Sequence, residues 1–70
     1  MKEAILLQFG KKLRNIRTNK NMSQEELADK AGVHRTYIGM VERAEKNITL
    51  KNINKLAKAL GVKLSEFFEK

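Results

Sequence analysis

The sequence predicts an all-α fold, and three observations carry the prediction. No segment alternates apolar and polar residues at a period of two over the length of a strand. Apolar residues recur instead at intervals of three and four, as a helix facing a core requires. Helix boundaries are also marked, with Ser23 and Thr49 in N-cap settings and Gly32 and Gly61 where those helices must stop.

The first helix is expected over about residues 4–19, where Leu6, Phe9, Leu13 and Ile16 share one face. Its end falls in Asn19-Lys20-Asn21, since short amide side chains tolerate left-handed backbone in a polar turn. Ser23-Gln24-Glu25-Glu26 then has the spacing in which Ser and Glu each satisfy the other's free amide, which starts a second helix. Leu27, Ala28 and Ala31 form its inward stripe, and Gly32 ends it after barely two turns. A third helix follows Val33, with Ile38 and Val41 inward and His34, Arg35 and Thr36 crowded into its first turn. Thr49 caps a fourth, whose stripe is Leu50, Ile53, Leu56, Ala57 and Leu60. Val62 and Leu64 should close the core, and Ser65 is placed to cap a short fifth helix bearing Phe67 and Phe68.

Seventy residues suit one small domain, spanning 1–70, because so short a chain buries only about 60% of its surface. There is no Cys, so neither disulfides nor a thiolate metal site can hold it together. With 41% hydrophobic residues the chain can still fold by apolar burial. Its longest apolar run is Ala4-Ile5-Leu6-Leu7, too short for a secretory signal or a membrane span, so the cytoplasm is the expected location. Fifteen Lys and Arg against eight Asp and Glu give +7, a balance that favours anionic partners. The charge is uneven. Residues 1–20 hold six basic and one acidic side chain (+5), residues 21–45 three and five (−2), and residues 46–70 six and two (+4).

Chemistry of other kinds finds no assembled site. His34 is a lone histidine, so no metal and no cofactor are expected. Ser23 and Ser65 have no adjacent base, and the neighbouring Glu25 and Glu26 point apart on a helix, so an enzyme is not expected.

The middle of the chain is the informative part. Ala31-Gly32-Val33 joins two short helices too tightly for antiparallel packing, which leaves a steep crossing, a helix-turn-helix over about 23–43. The outward side of its second helix would carry Arg35, Thr36, Gly39, Met40 and Arg43. Here the chain resembles the phage-repressor and Cro (XRE-like) family of DNA-binding proteins. The matching segments are Gly10-Lys11-Lys12-Leu13-Arg14-Asn15-Ile16-Arg17, the run from Met22 to Val33, Tyr37-Ile38-Gly39-Met40-Val41-Glu42-Arg43, and the run from Leu56 to Val62. Within that family, His34-Arg35-Thr36-Tyr37-Ile38, Glu42-Arg43 and Asn47-Ile48-Thr49-Leu50 are most similar to the small controller proteins of restriction–modification systems.

The resemblance implies a compact bundle of five helices of the lambda-repressor-like type, with the third helix in the major groove of double-stranded DNA. Gln24 would lie against a phosphate, where a helix N-terminus also favours one. Arg35 can donate two hydrogen bonds to guanine, Thr36 can bond a base edge or touch a thymine methyl, and Met40 offers the same methyl an apolar contact. Gly39 would leave room for close approach, Tyr37 would reach sugar or phosphate, and His34 could do either. Phosphates on either side would meet Arg43, Lys46, Asn47, Thr49, Lys51 and Asn52. Arg17 and Glu42 stand where the family joins its first helix to its recognition helix by an ion pair.

One such helix reads few base pairs, so a homodimer is expected, with Leu64, Phe67 and Phe68 at its interface, Phe67 having the core as its alternative place. Further control would then come through protein concentration, promoter layout, or a partner such as RNA polymerase. A different reading, an antitoxin-like adaptor that binds a partner protein, would use the same fold. Two departures from the family pattern bear on geometry. His34 replaces the usual Ser, Thr or Asp cap, which predicts a ragged start to the third helix. Ala44 replaces a helix-ending Gly, which predicts that this helix runs on toward Glu45 or Lys46.

Overall fold

In the computed structural model, which describes residues 3–69, one fully buried side chain from each of four helices enters a single core: Leu13, Leu27, Ile38 and Leu56. The helices are α1 (Ala4–Asn19), α2 (Gln24–Ala31), α3 (Arg35–Glu42) and α4 (Leu50–Leu60). No strand occurs among the described residues. Phe9, Ala28, Val41, Ile53, Ala57, Leu60 and Phe67 complete the core, and Val33, Val62 and Leu64 pack on its margin.

The expected fifth helix is instead a 3₁₀ turn, Leu64–Phe68. Five residues can close almost no i→i+4 bonds, so the tighter i→i+3 geometry prevails. Ser65 does not cap it. The carboxylate of Glu66 does that work, accepting from the Lys63 backbone N–H at 2.8 Å.

Most helix boundaries follow the local chemistry. α1 ends before Asn21, which adopts φ 57°. At the start of α2 the Glu26 N–H donates to the Ser23 hydroxyl and the Ser23 N–H to the Glu26 carboxylate, both at 3.0 Å. Donation from the Ser23 backbone N–H, and then from its hydroxyl, holds the Glu26 carboxyl below its ordinary pKa. Gly32 and Gly61 end α2 and α4 in left-handed backbone. Thr49 caps α4 by accepting from Asn52 N–H. Leu50 departs from the expected stripe and is 69% exposed, because the first turn of α4 lies beyond the core that begins at Ile53.

Both expectations about the ends of α3 are corrected. His34 caps the helix cleanly: its Nδ1 accepts from the Thr36 N–H at 3.1 Å, as a Ser or Asp oxygen would. The helix does not run on. Ala44 adopts φ 60°, and the bonds Ala44 N–H to Val41 O and Glu45 N–H to Met40 O form a Schellman ending with Ala where Gly is usual. Left-handed backbone strains an L side chain by about 1–2 kcal/mol, and the buried Ala44 methyl offsets part of that strain.

Candidate nucleic-acid interface

The outward side of α3 is shaped by what its inner side grips. Ile38 and Val41 enter the core, so Arg35, Thr36 and Arg43 project outward and are exposed. Met40 is half-buried. With Nδ1 of His34 occupied as an acceptor, the neutral ring carries its proton on Nε2, a donor free for the exterior. Arg35 rests 3.7 Å from Glu25 on α2, an exposed pair that holds it loosely. Gln24, Arg35, Thr36, Gly39 and Arg43 together line a shallow basin of about 350 Å³ between α2 and α3. Gly39, a buried residue, forms the floor of that basin.

Beneath the basin a buried network fixes α3. Arg17 on α1 donates from Nε to Glu42 at 2.6 Å and from a second nitrogen at 3.0 Å, and its third nitrogen bonds the Met22 carbonyl at 2.8 Å. The Arg17 and Glu42 side chains are only 10% and 4% exposed. A two-pronged guanidinium–carboxylate pair is directional, so it sets the angle of α3 on α1 as well as their distance. Gln24, the first residue of α2, donates its amide nitrogen to the same Glu42 carboxylate at 3.0 Å. One carboxylate therefore ties three helices together. Among the described residues, no buried side-chain nitrogen or oxygen lacks a partner.

The flanks of the basin carry donors. The Tyr37 oxygen accepts from the Asn52 amide at 3.0 Å, which leaves the phenol proton free to donate and links α3 to α4. Thr49 uses its hydroxyl oxygen as a cap and keeps its proton. Lys46, Asn47 and Lys51 are exposed in and after the loop between α3 and α4, and Arg43 pairs with Glu45 at 3.1 Å. Glu42 draws the side-chain nitrogen of Gln24 inward, so a phosphate there would meet the first backbone amides of α2. The C-terminal aromatics divide. Phe67 is 3% exposed with its ring 5.1 Å from that of Phe9, so it belongs to the protomer's own core and not to an interface. Phe68 is 55% exposed.

Gly10 is a structural residue that sequence reasoning passed over. A Cβ there would lie 2.5 Å from the Glu42 carbonyl oxygen and 2.8 Å from that of Val41, so α1 and α3 touch backbone to backbone. The signal was available. Gly10 shares a helix face with Leu13 and Arg17, and a glycine on the buried side of a helix marks a close approach.

Two short helices locked across a tight turn, the second with its polar side open, define a helix-turn-helix protein. A helix-turn-helix family model matches residues 13–67. The chain is 49% identical over 70 residues to the control protein C.BamHI of Bacillus amyloliquefaciens, covering 99% of this chain and 86% of that protein. It superposes on the restriction–modification controller protein C.AhdI from Aeromonas hydrophila with a TM-score of 0.93 at 48% identity, covering 94% of this chain and 100% of that one. For the controller protein C.Esp1396I, solved as a tetramer on its natural 35-base-pair operator, the TM-score is 0.88 at 36% identity, over 94% and 87% of the two chains. The chain belongs to the helix-turn-helix family in its phage-repressor and Cro branch, and its similarity over nearly its whole length is to the controller proteins of restriction–modification systems. No helix among the described residues is long and apolar enough to cross a membrane.

Proposed function

We propose that this chain is a sequence-specific DNA-binding transcriptional regulator of the restriction–modification controller type, a homodimer on a pseudo-symmetric operator. The observation that carries this is the open first turn of α3, where Arg35 and Thr36 face solvent on a helix fixed by the Arg17–Glu42–Gln24 network. Rigid placement of the helix that carries a guanidinium and a hydroxyl suits the reading of base edges, with Met40 and the Nε2–H of His34 beside them. Arg43, Lys46, Asn47, Thr49, Lys51, Asn52, Tyr37 and the backbone N–H of Gln24 supply phosphate contacts around them. The likeness to a controller crystallised on its operator supports the same partner here.

A homodimer would place two α3 helices about 34–36 Å apart, one turn of duplex. Leu64 and the exposed ring of Phe68 are the C-terminal residues available to a second copy, whereas Phe67 is committed inside.

The roles separate under mutation. Arg35→Ala is expected to lower operator affinity by about 1–3 kcal/mol and to relax preference at one base pair. Lys46→Ala should weaken operator and random duplex alike and reduce the slope of log K against log salt by about one. Fluorescence anisotropy on both duplexes across a salt series checks this. Equal losses on both duplexes for Arg35→Ala would remove it from base reading.

A further inference from the structure

Gly39 stands in the middle of an eight-residue helix, where alanine would favour the helix by about 1 kcal/mol, so its presence needs a reason. Its φ is not positive, and no backbone crowds it. What borders the place of its side chain is two side chains, that of Gln24 on α2 and that of Arg43 one turn further along. A Cβ there would lie 3.0 Å from a terminal guanidinium nitrogen of Arg43 and 3.4 Å from the side-chain oxygen of Gln24. The orientation of Gln24 is set from behind. Its amide nitrogen is bound to Glu42, so its oxygen must point the other way, to the spot where the Arg43 guanidinium arrives.

We infer that Gly39 is a positioning residue of the DNA interface: it vacates the seat in which the Arg43 guanidinium lies across α3, beside Arg35 and Thr36. Arg43, its Nε paired with Glu45 at 3.1 Å, then acts from within the basin, on the same stretch of duplex as Arg35. A long side chain held in one place loses less freedom on binding, so seating contributes affinity without adding a contact. This rests on the regulatory reading above. It adds to that reading a role for a residue that bears no functional group.

The atoms crowded by a Cβ are the far ends of flexible side chains, so Gly39→Ala should displace Arg43 without straining the backbone. Stability and binding are therefore expected to move in opposite directions. The melting temperature of Gly39→Ala should hold or rise by up to about 5 °C, while affinity for the duplex upstream of the protein's own reading frame falls about tenfold. A double-mutant cycle identifies the cause. In an Arg43→Ala background, Gly39→Ala should cost no further affinity, because the seat has no occupant.

Wild-type protein measured on the same duplex separates the two claims. If wild type fails to bind there in preference to scrambled duplex, the regulatory reading fails and the inference falls with it. If wild type binds and Gly39→Ala binds equally well, the inference alone is overturned. It is overturned too if the two losses add in the cycle, or if Gly39→Ala melts lower and binds more weakly in step, as a packing defect would.

Discussion

Glu42→Ala is expected to lower the free energy of unfolding by about 3–5 kcal/mol, the range for removing one member of a buried pair. The loss is large because three donors converge on this carboxylate, two from Arg17 and one from Gln24. Without it the Arg17 guanidinium, buried between α1 and α3, keeps only the Met22 carbonyl. A 70-residue domain has about 4–10 kcal/mol of stability in all, at the usual 0.05–0.15 per residue, so this variant should be close to unfolding at 37 °C. Urea denaturation followed by circular dichroism checks it, and an unchanged midpoint would mean that the pair holds nothing. Glu42→Gln separates charge from geometry. Its one oxygen can still accept from Gln24 and one nitrogen of Arg17 while its NH2 loses the second Arg17 bond, so it should fall between alanine and wild type.

Gly10→Ala is the second large effect, and its sign runs against helix propensity. Propensity alone favours alanine within α1 by about 1 kcal/mol. The new methyl, however, would stand 2.5 Å and 2.8 Å from two carbonyl oxygens of α3, and backbone cannot swing aside as a side chain can. Overpacking of this kind typically costs about 1–3 kcal/mol, and here separating the helices also stretches the Arg17–Glu42 bonds. A net destabilisation of at least about 2 kcal/mol is expected, with weaker DNA binding because α3 loses its seat on α1. Thermal melting checks it. Gly39→Ala is the internal contrast: the same substitution in another helix, with side-chain ends in place of carbonyls, should not destabilise.

These two glycines show where sequence reasoning reached and where it stopped. The four helices and most of their ends were legible, since caps such as Ser23 and Thr49 and stops such as Gly32 and Gly61 act through their immediate neighbours. The exposure of Arg35 and Thr36 was legible for a related reason: Ile38 and Val41 decide which way a short helix turns. Periodicity puts Gly10 on the buried face with Leu13 and Arg17 and so marks a close approach, but which segment arrives opposite Gly10 or Gly39 is decided only by the fold. The pairing of Arg17 with Glu42 followed only from family resemblance, whereas the third partner, Gln24, belongs to the folded geometry.

The misjudged ends of α3 have a different origin. His34 caps because an imidazole nitrogen can do the work of an oxygen, and Ala44 turns left-handed because the Schellman bonds and its own burial outweigh the strain. At the C-terminus, Phe67 and Phe68 are equally apolar, and only the seating of the 3₁₀ turn against α1 sends one inward and leaves the other out.

In the proposed function an exposed α3 reads bases while basic flanks grip the backbone, two copies at a time. Footprinting on the DNA just upstream of the protein's own reading frame, with stoichiometry measured on the same fragment by sedimentation, tests it most directly. Protection of two related half-sites about 34–36 Å apart by two protomers, at salt concentrations where scrambled duplex is released, is the expected result. Uniform, salt-labile coverage with no preferred site would contradict it, and would reduce the basic flanks to a non-specific polyanion surface.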